Sequence, residues 1–251
     1  MLSPFGTMVS AALAAASAGA LALGGFAYAS VWPSSQIFGP TLIAPRRPGE
    51  LALTFDDGPN PAWTPRLLEL LYEHKVHATF FLVGRFAEAE PELVHKIVAA
   101  GHVIGNHSWS HPNLARTPAA KVREELRSTN DTLQQLAGKP VRLFRPPFGA
   151  RRPVVLRIAR ELGLAPVTWN AMTNDWSEPT AGRIAAALGT KIDHNQHRGF
   201  ASNIVLHDGG HLGLGANRGP SVDAAERLIV RYSATHKFVP LDAWAPAVRP
   251  T

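Results

Sequence analysis

LALTFDDGP, at Leu51–Pro59, is the part of the sequence from which the rest of the chain can be interpreted. Its first five residues form a mostly apolar run, which is typical of a short buried strand. Gly58 and Pro59 end the strand and begin a loop, directly after the adjacent carboxylates of Asp56 and Asp57. Because side chains alternate across a strand, these carboxylates point in different directions and could bind a metal and handle a proton separately. An ordinary Asp-Gly turn would have the same sequence.

Strand-like and helix-like stretches alternate from residue 50 onward, which predicts an α/β fold with a parallel β/α barrel. Seven strands are predicted, at Leu51–Phe55, His77–Val83, His102–Asn106, Val141–Phe144, Ala165–Trp169, Ser202–His207 and Phe238–Leu241. The predicted helices between them are Thr64–Lys75, Pro91–Ala100, Pro118–Ala137, Pro153–Leu162, Ala181–Ile192 and Ser221–Thr235. Three of these helices are followed by glycine, a common helix stop.

The composition fits one large globular domain. The chain has 251 residues, of which 45% are hydrophobic and 18% charged. It contains no cysteine, which excludes disulfides, thiolate metal sites and a cysteine nucleophile. The net charge is +6, but the basic residues are scattered and form no dense run, so we expect a solvated basic surface and no nucleic-acid binding.

The N-terminus is apolar and carries no charged side chain before Arg46. Met8–Ala29 has the length of a secretory signal or a single membrane span, and a small-x-small pattern precedes Ser30. Because Lys and Arg are absent before this stretch, we favour a membrane anchor or an uncleaved signal at residues 1–29; a buried helix is a third reading. Residues 30–49, rich in proline, are predicted as a linker, and residues 50–251 as the barrel domain. Because either a signal or an anchor would direct the protein out of the cytoplasm, we expect it in the cell envelope, secreted or membrane-anchored through residues 8–29.

The candidate reactive residues all follow the C-terminal ends of predicted strands, where β/α barrels build their active sites. They are Asp56 and Asp57 after the first strand, His107 and His111 after the third, Arg145 after the fourth, Asp175 and Trp176 after the fifth, and His207 and Asp208 after the sixth.

His107 and His111 are four residues apart, a spacing that lets two imidazoles face one ion on a helix or compact turn. With Asp57 they make a two-histidine, one-carboxylate set that leaves positions open for water and substrate. Zinc in such a site would polarise a carbonyl and acidify its water, whereas ferrous iron uses the same ligands for oxygen chemistry. The ligands alone leave both reactions open.

Five ordered motifs resemble those of the polysaccharide deacetylases, carbohydrate esterase family four, which includes chitin, peptidoglycan and xylan deacetylases. They are TFDDGP at Thr54–Pro59, HSWSH at His107–His111, RPPFG at Arg145–Gly149, NDW at Asn174–Trp176 and VLH at Val205–His207. The resemblance covers the chain from about Glu50 to Leu241. It implies a distorted barrel of about seven strands, in agreement with the strand count above.

The resemblance implies a metal centre and a base. Asp57, His107 and His111 would bind a divalent metal, most often Zn²⁺, with Co²⁺, Mn²⁺ and Ni²⁺ as alternatives. Asp56 would take a proton from the metal-bound water, and Arg145 would pair with Asp56 to keep it ionised and oriented.

The resemblance also implies the groups around the reacting amide. The backbone N–H of Phe148 would stabilise the oxyanion. His207 would protonate the leaving amine. Trp176 and Val205 would line the pocket for the acetyl methyl group. Ser108 would contact and orient a metal ligand without binding the metal itself.

One departure from the family pattern concerns the acid. The fourth motif usually reads DxxDW, and its first aspartate tunes the acid histidine, but Met172 stands at that position here. Methionine cannot make a charge-assisted hydrogen bond, so Asp175 or Asp208 would have to replace that aspartate. Phe148 stands where tyrosine is common, which matters less because the implied role uses the backbone.

These observations predict a monomeric metal-dependent N-deacetylase of an amino-sugar polymer or oligomer of the chitin or peptidoglycan type. An O-acetyl xylan esterase and a lipid-linked sugar deformylase are alternatives of the same class. A catalytically impaired glycan-binding barrel is an alternative of another class, and metal-dependent oxygen chemistry is the weakest. His194 and His197 are interpreted as a solvated loop, and His211 as part of a mobile substrate loop or a flexible connection.

Overall fold

The computed structural model of the chain describes residue 17 and residues 24–245. Most of the predicted signal or anchor, residues 1–29, therefore lies outside the described residues. Residues 24–31 are helical, with Ala29 and Ser30 buried. Within the described part of the chain, no helix combines the length and apolarity needed to cross a membrane.

The described residues form one sheet of eight parallel strands. The strands are β1 (Glu50–Gly58), β2 (Thr79–Leu82), β3 (Val103–Asn106), β4 (Leu143–Phe144), β5 (Ala165–Pro166), β6 (Ala171–Met172), β7 (Ser202–His207) and β8 (Lys237–Phe238). Their order is β5-β4-β3-β2-β1-β7-β6, with β8 pairing to the first residues of β1. The predicted α/β barrel is confirmed, as a curled sheet that is open between β5 and β6. The predicted count of seven strands missed β6, and the predicted strand at Ala165–Trp169 is shorter, because the chain leaves the sheet after Pro166.

Helices connect the strands and cover the outside of the curled sheet. They are α1 (Thr64–Glu73), α2 (Gly84–Ala89), α3 (Pro91–Ala99), α4 (Ala119–Ala137), α5 (Pro153–Glu161), α6 (Ala181–His197) and α7 (Gly219–Tyr232). The short helix α2 was not predicted. Helix α6 is longer than predicted, because its polar last turn contains no helix breaker and the helix stops only before Gly199, which has a φ of 79°. His194 and His197 therefore lie on the exposed surface of a helix and not in a loop.

The alternation of β1 divides the core into two parts. Leu51, Leu53 and Phe55 pack outward against the helices, whereas Ala52 packs inward with Phe81 and other residues of the barrel interior. Thr54 and Asp56 share the inward face with Ala52, and both are buried. The strand is buried on both faces, as is typical of a parallel sheet, and this places the carboxylate of Asp56 at the top of the barrel interior.

Residues 41–45, within the predicted linker, run along the gap in the sheet. Leu42 forms a parallel bridge with Val167, through hydrogen bonds of 2.8 Å to the Pro166 carbonyl and 2.9 Å from the Thr168 N–H. The Ala201 N–H donates to the Pro45 carbonyl at 2.9 Å. This part of the predicted linker is therefore fixed against the barrel wall between β5 and β7.

Candidate active site

The two aspartates at the end of β1 point to different places because the strand is irregular there. The pairing of β1 with β2 shifts register between Asp56 and Gly58. Asp57 has a φ of 70°, in the left-handed region that non-glycine residues rarely adopt. The turn therefore separates the side chain of Asp57 from the regular alternation, and backbone strain of this kind concentrates at functional sites.

The His107–His111 segment is a compact turn, in which Ser108 and His111 have φ values of 63° and 60°. Asn106 Oδ1 accepts the Ser108 N–H at 2.9 Å, and Ser108 Oγ accepts the His111 N–H at 3.2 Å. The buried carboxylate of Glu125 accepts the Ser110 N–H and hydroxyl, both at 2.8 Å. These hydrogen bonds hold the turn in its unusual conformation, and Ser108 fixes the backbone of His111.

Asp57, His107 and His111 form a cluster that fits a divalent metal ion. One ligand atom from each residue lies within 4.8 Å of the others. Asp57 Oδ1 is 3.4 Å from His107 Nε2 and 3.0 Å from His111 Nε2. His107 Nδ1 donates to the Arg145 carbonyl at 2.8 Å, which leaves Nε2 unprotonated in the neutral ring. Asp57 Oδ1 is buried and has no hydrogen-bond partner among the described residues. Such an oxygen is expected where a carboxylate binds a cation.

The charge states in the cluster suit metal binding. Burial raises the pKa of Asp57, but the neighbouring rings of His107, His111 and His211 outweigh it and hold this pKa well below the ordinary value. Burial lowers the pKa of His111, against the opposing effect of Asp57. The cluster therefore presents an ionised carboxylate and a neutral imidazole, the forms that bind a metal.

Asp56 forms an ion pair with the fully buried guanidinium of Arg145. Arg145 Nη1 donates to Asp56 Oδ1 at 2.7 Å and to Thr54 Oγ1 at 2.7 Å, while Nη2 donates to Asn203 Oδ1 at 3.1 Å. The guanidinium also lies over the ring of Phe81, 4.1 Å from its centroid. The other carboxylate oxygen, Asp56 Oδ2, is 4.0 Å from His107 Nε2 and faces the cluster of candidate metal ligands.

His207 lies across the pocket and is held by Asp175. Its Nδ1 donates to Asp175 Oδ1 at 2.8 Å, and Ser221 Oγ donates to Asp175 Oδ2 at 2.7 Å. Burial lowers the pKa of His207, but Asp175 outweighs burial and raises this pKa to about 9. The imidazole is therefore protonated at neutral pH.

The missing motif aspartate is replaced by Asp175 and not by Asp208. Met172 lines the pocket but makes no polar contact with His207. Asp208 does not take this place, because its carboxylate is engaged elsewhere: its Oδ2 accepts a hydrogen bond from the hydroxyl of Thr64 at 2.5 Å. The polar partner that Met172 cannot provide to His207, the candidate acid, is thus provided by a residue three positions later in the chain.

These residues surround a pocket of about 310 Å³. The pocket is lined by Asp56, Asp57, His107, His111, Pro146, Phe148, Trp169, Met172, Trp176, Val205, His207, His211 and Arg218. Eight of the nine predicted site residues are in this lining, and the ninth, Arg145, is buried behind Asp56.

The predicted substrate-side residues take different positions around the pocket. Val205 is buried, and Phe148 and Trp176 are 53% and 45% exposed. Phe148 has a φ of 57° and packs its ring edge-on to His111, with centroids 4.6 Å apart. Trp176 packs edge-on to His207 at 5.2 Å. The two exposed aromatic rings therefore both border the pocket, Phe148 beside the candidate metal ligand His111 and Trp176 beside the candidate acid His207.

His211 lines the pocket, although its sequence context predicts only a mobile substrate loop or a flexible connection. Its ring stacks on His111, with centroids 4.6 Å apart, and its Nδ1 is 3.8 Å from Asp57 Oδ2. Arg85 donates to the His211 carbonyl at 2.6 Å, which fixes the start of this loop. His211 comes four residues after His207 at a strand end, so the strand-end argument could have included it.

Comparisons with known proteins agree with the motifs and the geometry. The polysaccharide deacetylase family model matches residues 44–167. Peptidoglycan-N-acetylglucosamine deacetylase of Bacillus cereus is 39% identical over 186 residues, which are 74% of this chain and 64% of that protein. Chitooligosaccharide deacetylase of Azorhizobium caulinodans is 37% identical over 175 residues, which are 69% of this chain and 80% of that protein.

A crystal structure of the Bc1960 peptidoglycan N-acetylglucosamine deacetylase superposes with a TM-score of 0.73 at 36% identity, covering 81% of this chain and 91% of that one. The chain therefore belongs to the polysaccharide deacetylase family, which confirms the resemblance read from the five motifs. It spans less than two thirds of the Bacillus cereus relative.

Proposed function

We propose that the chain is a divalent-metal-dependent hydrolase that removes N-acetyl groups from an amino-sugar polymer or oligomer of the peptidoglycan or chitin type. One observation carries this proposal: the Asp57, His107 and His111 cluster lies in one pocket with the Asp56–Arg145 pair and the Asp175–His207 pair. The names of the two deacetylase relatives supply the substrate class.

The metal would be held by Asp57, His107 and His111, whose donor atoms and charge states fit it. When bound, it supplies Lewis-acid polarisation of the acetyl carbonyl and lowers the pKa of a coordinated water. Zn²⁺ suits two imidazoles and a carboxylate, and Co²⁺, Mn²⁺ and Ni²⁺ are alternatives.

Asp56 is positioned to act as the general base. Because Arg145 occupies Oδ1, Oδ2 is left facing the metal cluster and can accept a proton from the attacking water. Pure binding of a glycan has no need of an oriented second carboxylate at this place. The Asp56–Arg145 pair therefore favours catalysis over a glycan-binding barrel.

His207 is positioned to act as the general acid. An amide nitrogen is a poor leaving group and needs a proton as the C–N bond breaks. The raised pKa of His207, about 9, keeps that proton available at neutral pH. The Phe148 N–H would stabilise the oxyanion that forms at the carbonyl oxygen.

The acetyl group would lie among Trp176, Val205 and Met172, which give an apolar wall next to His207. The sugar would then occupy the open mouth between Phe148 and Trp176. Met172, at the position of the usual aspartate, makes this wall more apolar than an aspartate would. A location in the cell envelope, with attachment through residues 8–29, completes the proposal.

The test is acetate release from N-acetylglucosamine oligomers, peptidoglycan and acetylated xylan, with zinc-loaded and metal-stripped protein under anaerobic conditions. We expect metal-dependent release from an amino-sugar substrate, abolished by Asp56→Asn and retained by Asp223→Asn, which changes a surface aspartate paired with Arg66. Preference for acetylated xylan would make the protein an esterase. No release from any substrate by metal-loaded protein would refute an acetyl hydrolase, and a dioxygen requirement would indicate oxygen chemistry.

A further inference from the structure

Large apolar side chains that are exposed to solvent occur mainly in two groups, one near the N-terminus and one in or next to the pocket lining. Eleven such side chains occur in the described residues, and nine of them belong to these two groups. We call these nine the apolar rim: Phe26, Tyr28, Val31, Trp32 and Ile37 near the N-terminus, and Phe148, Trp176, Leu212 and Leu214 around the mouth. The other two, Tyr72 and Val230, lie on helices α1 and α7.

Arg151 joins the N-terminal group of the rim to the loop that carries Phe148. The guanidinium of Arg151 is buried and donates to the carbonyls of Trp32, Ser35 and Gly149 at 2.7, 2.9 and 2.9 Å. The Arg151 N–H donates to the Ser30 carbonyl at 2.9 Å. The backbone of residues 30–35 is thus fixed beside the pocket, and its exposed side chains are fixed with it.

The rim continues from Phe148 to the loop after β7. The ring of Phe148 packs edge-on to His211, with centroids 5.3 Å apart, and Leu212 follows directly with 90% of its side chain exposed. On the other side of the mouth, Arg218 Nε donates to the Gly209 carbonyl at 2.6 Å and fixes the same loop next to Trp176. Exposed apolar side chains therefore border the pocket mouth.

An exposed apolar surface of this extent marks an interaction site, and two observations favour a lipid bilayer as its partner. First, the helical residues 24–31 continue an uncharged run that begins at Met8, and the chain carries no charge before Arg46. Second, Tyr28 and Trp32 stack 5.7 Å apart at the end of this run, and Trp and Tyr are the residues enriched where a bilayer meets water.

A glycan fits the rim less well than lipid does. Sugar sites need polar groups beside their aromatic surfaces, whereas Val31, Ile37, Leu212 and Leu214 offer no hydrogen bond from their side chains. The net charge of +6 also suits an anionic lipid surface.

We infer that the apolar rim docks on a lipid bilayer, so that the pocket opens toward the membrane surface and receives glycan substrates there. Docking by the rim is distinct from anchoring by residues 8–29, because it requires Leu212 and Leu214, which are remote from the N-terminus in sequence, to enter the interface. The inference also does not depend on the proposed hydrolysis.

The absence of cysteine makes the test direct, because one introduced thiol carries one label. In the full chain, Leu212→Cys, Ile37→Cys, Tyr72→Cys and Val230→Cys would each carry a fluorophore that is sensitive to polarity. Vesicles of phosphatidylcholine and phosphatidylglycerol are then added, and thermal unfolding confirms that each labelled protein is folded. We expect a blue shift and stronger emission at positions 37 and 212, and no change at positions 72 and 230.

The other outcomes overturn the inference in distinguishable ways. A shift at position 37 alone would mean that only the N-terminus binds lipid, and a shift at all four positions would mean non-specific adsorption. Emission at position 212 that is already blue-shifted without vesicles would mean that the chain covers its own rim. A shift with N-acetylglucosamine oligomers and not with vesicles would assign the rim to glycan. None of these readouts requires turnover, so failure of the proposed hydrolysis would be recognised separately.

A second measurement uses unlabelled protein. Trp32→Ser and Leu212→Ser should each weaken partition into the same vesicles by about tenfold, the effect of withdrawing one large apolar side chain from the interface. Tyr72→Ser and Val230→Ser should leave partition unchanged, although they also remove large exposed apolar side chains. If Trp32→Ser and Leu212→Ser weaken partition no more than Tyr72→Ser and Val230→Ser do, docking by the rim is refuted.

Discussion

The carboxylate of Asp175 holds His207 at two points. Asp175 Oδ1 accepts the ring Nδ1–H at 2.8 Å, and Oδ2 accepts the backbone N–H of the same residue at 2.8 Å. The ring orientation and the backbone of His207 are therefore fixed by one side chain, which is itself buried and held by Ser221. Because the interaction favours the imidazolium, the same contact sets the acid strength of His207.

Replacing Asp175 by asparagine should move the alkaline limit of activity to lower pH. A general acid works only while it is protonated, so the activity of the wild type should fall as pH rises through the pKa of His207, about 9. Asp175→Asn removes the strongest of the influences that raise this pKa, and burial is then opposed only by the weaker effects of Asp57 and Asp56. The decline of kcat/KM should therefore start at a lower pH than in the wild type, measured as a pH–rate profile on N-acetylglucosamine oligomers.

Asp223→Asn is the matched control for this change, because Asp223 is a surface aspartate whose partner is Arg66. Its pH–rate profile should overlay the wild type. An Asp175→Asn variant with an unchanged alkaline limit but lower kcat would show that Asp175 only orients His207, and another group would then be the acid.

Metal binding should depend on the three predicted ligands. Asp57→Asn, His107→Gln and His111→Gln should each weaken binding of Zn²⁺ by more than roughly 100-fold, since loss of even an outer partner costs about 10–100-fold. Titration calorimetry on metal-stripped protein measures this directly, with one ion per wild-type chain expected.

His194→Gln and His197→Gln are the controls, because these histidines lie exposed on α6. Their variants should bind the ion as the wild type does. Retention of full affinity by Asp57→Asn would contradict the assignment of the cluster.

Much of the fold and of the site follows from local sequence. The apolar run before Asp56 is buried in a parallel sheet, and the polar residues after each long strand meet at the same edge of that sheet, so the metal cluster and Arg145 could be predicted. His107 and His111 are close in the chain, and one turn is enough to bring them together.

The parts that could not be predicted depend on contacts between distant segments. Strand β6 has two residues and no periodicity, yet its pairing with β7 brings Asp175 to His207. The docking of residues 30–35 depends on Arg151, a buried arginine that looks like a surface residue in the sequence. The stacking of His211 on His111 likewise depends on the path of a long loop.

A methyl group added at Gly105 should destabilise the barrel. In the middle of β3, an ideal Cβ at this position would lie 2.6 Å from the ring of Phe81 and 3.3 Å from the Leu143 carbonyl. Phe81 cannot move freely, because it packs beneath the guanidinium of Arg145. Gly105→Ala should therefore cost about 1–3 kcal/mol of the free energy of unfolding, measured by urea denaturation.

Gly182→Ala gives the opposite expectation. Gly182 lies in α6, where an added Cβ meets nothing within 4 Å, so alanine should raise the free energy of unfolding by up to about 1 kcal/mol. Equal effects of the two substitutions would show that Gly105 is not tightly packed.

Asp208 should make the protein less stable as pH rises toward neutrality. Burial raises the pKa of Asp208 to about 7, against the opposing hydrogen bond from Thr64. The carboxyl group is therefore neutral in the folded state between about pH 4 and 7, while it ionises in the unfolded state near its ordinary pKa of 3.8. The unfolded state releases this proton first, so stability is complete below the unfolded pKa and is lost as pH rises to about 7.

Asp208→Asn should remove this pH dependence, because the amide is neutral throughout and its oxygen can still accept the hydroxyl of Thr64. The free energy of unfolding of metal-stripped protein, measured in urea at several pH values, should therefore favour the variant increasingly from pH 4 to 7. The final difference should be a few kcal/mol, at about 1.4 kcal/mol per unit of pKa. Asp223→Asn should follow the wild type at every pH. If the free energy of unfolding changes with pH in the same way for Asp208→Asn and the wild type, Asp208 is ionised in the folded protein as well as in the unfolded one.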